Sequence, residues 1–254
     1  MTAPNPDDEA VDKTQQPFLE HIVELRSRIL RSLALVALLF LPVYYFAEPL
    51  FSFVAAPLMS RLPDGSGMIA TQVASPFLAP FKLAIYTAIF IGIPFLLHQL
   101  WSFVSPGLYR HEKRFALPLL TSSVALFYCG MAFSYFLVFP IVFTFFIEIS
   151  PTGISMMTDI NQYLDFVMKM FLAFGLAFEI PVATLLMVWS GLTTADAMAA
   201  KRPYIVIGCF VLGMFFTPPD VVSQLLLALP MWLLFEVGVG LARLFDRTDK
   251  VADP

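Results

Sequence analysis

The chain has 254 residues, of which 59% are hydrophobic and 13% charged, and its mean hydropathy is +0.79. Soluble domains carry roughly 25% charged residues, so this balance excludes a water-soluble globule and demands a low-dielectric solvent around most of the surface. The net charge of −4, with 15 basic residues forming no dense patch, argues against a nucleic-acid-binding protein.

The N-terminal stretch MTAPNPDDEAVDK is acidic and contains two prolines. It lacks the basic and short apolar regions of a cleaved signal peptide. Residues 1–17 are expected to form a disordered cytoplasmic tail. Next comes HIVELRSRIL, in which Glu24 and Arg28 have i,i+4 spacing. On a helix through residues 18–31, Phe18, Ile22, Leu25 and Ile29 form one apolar stripe, opposite Glu20, Glu24, Ser27 and Arg31.

A membrane-crossing helix needs about 20 mostly apolar residues. Six runs approach this, two of them marginally: Ile29–Phe46, Phe77–Val104, Phe115–Ile147, Phe166–Leu192, Pro203–Thr217 and Val221–Leu244. Between the first two, AEPLFSFVAAPLMSRLPDGSGMIATQVASP is too polar to span and predicts a structured cap on the membrane surface. Pro106-Gly107 separates the second and third runs. The fifth has 15 residues, bracketed by Lys201-Arg202 and Pro218-Pro219-Asp220. At about 1.5 Å per residue it reaches about 22 Å, short of a hydrocarbon core of about 30 Å. Such a helix thins the bilayer or packs against a partner. Residues 18–245 therefore read as one six-helix transmembrane domain and 246–254 as a cytoplasmic tail. No internal repeat is visible.

Basic residues alternate between the two sides. Lys13, Arg26 and Arg28 precede the first run, and Arg110, Lys113 and Arg114 follow the second. Lys201 and Arg202 follow the fourth, and Arg243, Arg247 and Lys250 close the last. The intervening connections hold only Arg61. The positive-inside rule then places both termini in the cytoplasm.

Asp165, Lys169, Glu179 and Glu236 lie in or near the fourth and sixth runs. Each ion at mid-bilayer costs about 2.5–3.5 kcal/mol on insertion scales. Asp165 and Lys169, with the acid N-terminal at i,i+4, read as a structural pair. Glu179, in FGLAFEIPVATLL, has no base three or four residues away and is followed by Pro181. Two readings stay open for it: a carboxyl bonded to a neighbouring helix, or a polar contact offered to a substrate or partner. Glu236 reads as an interfacial residue. Cys129 and Cys209 lie within apolar runs and are expected to be buried free thiols. No catalytic motif, metal-ligand spacing or phosphate-binding glycine loop appears, so neither an enzyme nor a cofactor is expected.

FLEHIVELRSRIL, MIATQVASPFLAPFKL, QLWSFVSPGLYRHEKR, GMAFSYFLVFP, FGLAFEIPV, KRPYIVIGCFVLGMFFTPPD and QLLLALPMWLLFEVGV occur in this order. Together they closely resemble the TatC family, the multispanning receptor subunit of the twin-arginine protein translocase, from about Phe18 to Leu244. The resemblance implies an all-α protein of six transmembrane helices in a curved, cupped arrangement, with helices 5 and 6 short. It implies a bacterial inner-membrane location and export of folded precursors driven by the proton gradient. Its implied partners are twin-arginine signal peptides, single-span TatA- and TatB-like subunits, membrane lipids and further copies of itself. By motif match, signal-peptide binding falls to Leu19, Glu20, Glu24, Phe103 and Glu112. The intramembrane polar contact falls to Glu179, on the concave side. Met214, Thr217 and Gln224 match the partner-subunit contact, and Asp220 belongs to an extracytoplasmic loop. Lys169 matches no family motif. The competing reading is a proton- or ion-coupled small-solute transporter using Asp165, Lys169 and Glu179.

Overall fold

The computed structural model describes residues 6–62, 67–104, 116–149, 157–217 and 220–252. Nearly all of them are helical. Helix α1 covers Pro6–Tyr45, α2 Ala47–Met59, α3 Ser75–Val104 and α4 Ala116–Phe133. A π-helical turn, Ser134–Val138, carries α4 into α5, Phe139–Glu148. Helix α6, Ile160–Ala177, is followed by α7, Ile180–Trp189, then α8, Ala195–Ala200, α9, Arg202–Phe216, and α10, Val221–Ala252.

Among the described residues, five segments are long and apolar enough to cross a membrane: Ile22–Tyr45, Ser75–Phe103, Leu117–Glu148, Ile160–Trp189 and Val221–Leu244. They correspond to five of the six expected runs. The other run forms α9, apolar but 15 residues long. One expectation needs correction. The last helix is not short: α10 has 32 residues, because no Gly or Pro interrupts the chain between Leu241 and Ala252.

The fourth segment, expected as one run, is broken just before Pro181. Proline has no N–H to donate, and here α6 ends at Ala177 and Pro181 sits in the first turn of α7. The junction is closed by Phe178 N donating to Phe174 O (3.0 Å) and Glu179 N donating to Leu176 O (3.1 Å).

The expected cap is structured. It contains α2 and a two-residue parallel ladder pairing Met68 with Thr158 and Ile69 with Asp159. Asp159 then caps α6. Its Oδ1 accepts from Asn161 N (2.9 Å) and Gln162 N (3.1 Å), and its Oδ2 from Thr71 Oγ1 (2.6 Å) and Thr71 N (3.0 Å). These bonds, the Thr71 hydroxyl foremost, hold the carboxyl down to about 2. A depressed acid stabilises the fold above its ordinary value and loses that contribution as pH falls toward its native one. The clasp is therefore at full strength at neutral pH and weakens only below about pH 4. Tyr163 Oη donating to Val54 O (2.7 Å) and Arg61 Nε donating to Thr144 Oγ1 (3.1 Å) tie α2 and its following turn to α6 and α5.

The core is aromatic and centred on α4, α5 and α6, where Phe127, Phe139 and Phe174 are fully buried. Without a hydrophobic drive between helices in lipid, close approach depends on small residues. Gly130 of α4 meets α6 so closely that a Cβ there would lie 2.3 Å from Phe174 O. Gly238 of α10 likewise faces Pro181 Cα and Thr184 Cβ of α7, each 2.9 Å from a built Cβ. A backbone oxygen has no rotamer by which to escape. Gly130→Ala is therefore expected to cost about 1–3 kcal/mol through helix displacement. A lowered melting temperature in detergent is the readout; an unchanged one contradicts this packing. Helix α1 packs against α3, while its Leu33, Leu38 and Leu41 are exposed.

Candidate functional site

Glu24 lies on α1 near the end of α3. Arg28, one turn along, donates to Glu24 Oε1 through Nη2 (2.5 Å) and Nε (3.0 Å). The same guanidinium crosses to α3, where Nη1 donates to Gln99 Oε1 (3.1 Å) and Gln99 O (3.5 Å) and Nη2 to Ser102 O (3.2 Å). The expected i,i+4 pair is thus present, but as part of a cross-helix cluster. The carboxylate side chain is 39% exposed and the guanidinium 19%. Beside them is a cavity of about 220 Å³ whose walls include Leu25, Ile29, Leu96, Leu100 and Phe103. Glu24 and Phe103, both expected in one site, are therefore brought to one place. Glu112 lies outside the described residues. Leu19 and Glu20 are within α1, but their side chains are also outside them.

Sequence reasoning missed Gln99 and Ser102. The available signal was a glutamine inside the long apolar run Phe77–Val104, which needs a polar partner when buried.

Glu179 is half-buried at the α6–α7 break, and its side chain does not cap α7. The Ser123 side chain of α4 lies beside it. Ser123 Oγ and Glu179 Oε1 are both buried, and the serine hydroxyl is the polar group that faces the carboxyl. A buried polar atom left unpaired costs about 1–3 kcal/mol, so the two side chains offset one another's burial.

The α9–α10 region divides into occupied and open parts. Thr217 is buried, with its hydroxyl donating to Gly213 O (2.9 Å). Gln224 Nε2 donates to Phe210 O (3.0 Å). Asp220 Oδ1 accepts from Ser223 N (2.7 Å) at the start of α10, while its Oδ2 is buried and unpaired. Gln224 thus joins α10 to α9, while Thr217 closes the last turn of α9. By contrast Met214 is 68% exposed, and Tyr204, Ile207, Val211 and Phe215 are exposed with it along α9.

The other charges differ from expectation. Asp165 does not pair with Lys169. It accepts from Lys82 Nζ of α3 at 2.7 Å, and Lys169 is exposed. A pair along one helix is worth only about 0.2–0.5 kcal/mol, so a lysine from the facing helix takes the short carboxylate instead. Lys82 was legible as a cation in an apolar run. Glu236 receives both Nε (2.6 Å) and Nη2 (2.7 Å) of Arg202, joining α9 to α10. Cys209 is buried as expected, but Cys129 is exposed because it falls on the outer side of α4.

Long apolar helices, a clasped cap, and polar groups at helix ends and at a mid-span break define a multispanning membrane protein. A family model described as Sec-independent protein translocase protein (TatC) matches residues 20–230. The chain belongs to the TatC family. It is 57% identical to the Sec-independent protein translocase protein TatC of Azotobacter chroococcum mcd 1, over 93% of each chain. It is 50% identical to that of Escherichia coli K12, over 91% of this chain and 89% of the relative. A crystal structure of the twin-arginine translocase receptor TatC superposes with a TM-score of 0.80 at 33% identity, covering 88% of this chain and 98% of that one. This is a translocase family, not an enzyme family. The small-solute transporter reading falls with that assignment.

Proposed function

We propose that this protein is the signal-peptide receptor of a bacterial twin-arginine translocase, and that Glu24 and Glu112 each receive one guanidinium of a consecutive arginine pair. The relatives' name and the solved structure's description as a twin-arginine receptor support this reading. The observation that carries it is Glu24, partly exposed and braced against α3 beside a cavity lined by Phe103. Arginine offers carboxylate a planar bidentate fork that lysine's ammonium does not reproduce. Leu19 and Glu20 belong to the same motif. Folded precursors would then pass with the help of the proton gradient, in a complex containing further copies of this chain.

Both termini lie in the cytoplasm in this reading, placing Glu24 and Glu112 on the side where precursors are made. The test is binding of a twin-arginine peptide to inside-out and right-side-out vesicles. The two faces are identified by single cysteines at Ser66 and Tyr109 in a background lacking Cys129 and Cys209. Opposite-side labelling, with binding only on the Tyr109 side, is the expected result. Binding on the Ser66 side rejects the reading.

Single-span TatA- and TatB-like subunits are assigned to α9. The support is its length of 15 residues, too short for a full bilayer, and its exposed apolar stripe through Met214. Thr217, Gln224 and Asp220 shape the end of that surface. A photo-crosslinker at Met214 is expected to capture a small single-span subunit in cells containing one. Capture of lipid alone counts against docking there.

A further inference from the structure

We propose that Arg28 is the positioning residue of the receptor site, fixing the Glu24 carboxylate against the last turn of α3 so that arginine is distinguished from lysine. This rests on the receptor reading above. A guanidinium carries five N–H donors, and Arg28 makes five bonds to four acceptors: two to Glu24 Oε1 and one each to Gln99 Oε1, Gln99 O and Ser102 O. Ser102 O is a carbonyl of the final turn of α3, where carbonyls lack helical partners and form the negative end of its dipole. Arg28 thus caps α3 and braces Glu24 with one group. Its Nε and Nη2 both donate to Glu24 Oε1.

Bidentate recognition of an incoming guanidinium depends on the orientation of the carboxylate plane, not on charge alone. Lysine at position 28 keeps the charge but supplies only three donors from one nitrogen, so it cannot grip Glu24 Oε1 through a planar fork and the last turn of α3 at once. Gln99 matters for the same reason, because it anchors Nη1.

The experiment measures affinity of the full-length protein in lipid nanodiscs for two peptides, one with paired arginines and one with lysine replacing the first. Arg28→Lys is expected to weaken the paired-arginine peptide about tenfold and to shrink its advantage over the lysine peptide. Gln99→Leu is expected to do the same to a smaller degree. In a double-mutant cycle, Arg28→Lys should add little once Glu24 is alanine. Additive losses in the cycle overturn the proposal, as does an Arg28→Lys protein with wild-type affinity and discrimination, even if it melts earlier. Tighter binding by Arg28→Lys also overturns it, showing Arg28 to be a competitor. If Glu24→Ala itself has no effect, the receptor reading fails; if only the Arg28 and Gln99 variants are silent, the positioning role alone fails.

Discussion

Glu24→Ala is expected to weaken binding of a twin-arginine peptide about tenfold or more, and Glu112→Ala to do likewise. Hydrogen bonds to charged groups contribute roughly 1.5–3 kcal/mol, and every 1.4 kcal/mol is about tenfold in affinity. The alternative is that Glu24 merely pairs with Arg28, and exposed i,i+4 pairs contribute only about 0.3–0.5 kcal/mol. The geometry separates the two. Arg28 retains three acceptors on α3 when Glu24 is removed, so the local fold survives the substitution. Peptide affinity for wild type, each single variant and the double variant is the measurement. Each loss is expected to shrink when one peptide arginine is already lysine, because the matching carboxylate then has no fork to receive. Unchanged affinity in both single variants would return Glu24 to a helix-stabilising role.

Export is expected to fail in Glu179→Leu and to suffer strongly in Glu179→Ala, while Glu179→Gln is mild. Glu179 Oε1 and Ser123 Oγ are both buried and face each other, and partner hydrogen bonds in lipid contribute about 0.6–2 kcal/mol each. In the receptor reading, a polar group arriving on a signal peptide or a partner helix adds to that pair. Glutamine keeps the accepting oxygen, whereas leucine removes it while preserving bulk. Transport of a folded reporter with a twin-arginine signal, compared across the three variants at equal protein level, decides the matter. A harmless leucine with a damaging glutamine would mean that ionisation, not hydrogen bonding, is what the site uses.

The break at Glu179 illustrates what local sequence leaves open. Pro181 lacks an N–H and its ring crowds the preceding turn, but α3 and α10 continue through Pro80, Pro94 and Pro230, so a proline by itself does not end a helix. The apolar runs are more local: lipid offers the backbone no partners, so every crossing segment satisfies itself as a helix of predictable length. Glu24 was legible for a different reason. It stands in a motif whose order with six others carried the family resemblance. The extent of α10 was misjudged because an apolar run marks the membrane's edge, not the helix's end; the backbone continues through charged residues until something stops it.

The sequence by itself determined the helical class, the apolar segments, the short α9 and the residue types at the site. Only the tertiary structure decided which partner each polar side chain takes. Asp165 bonds Lys82 across 83 positions, Arg28 bonds Gln99 across 71, and Arg202 bonds Glu236 across 34. Helical periodicity reports which face a residue occupies on its own helix, a property of three to four neighbours. It carries no information on the axial offset between two helices, which is set by packing such as Gly130 against Phe174. That offset fixes which side chains come within hydrogen-bonding reach, so the cluster that braces Glu24 exists only once α1 and α3 are docked.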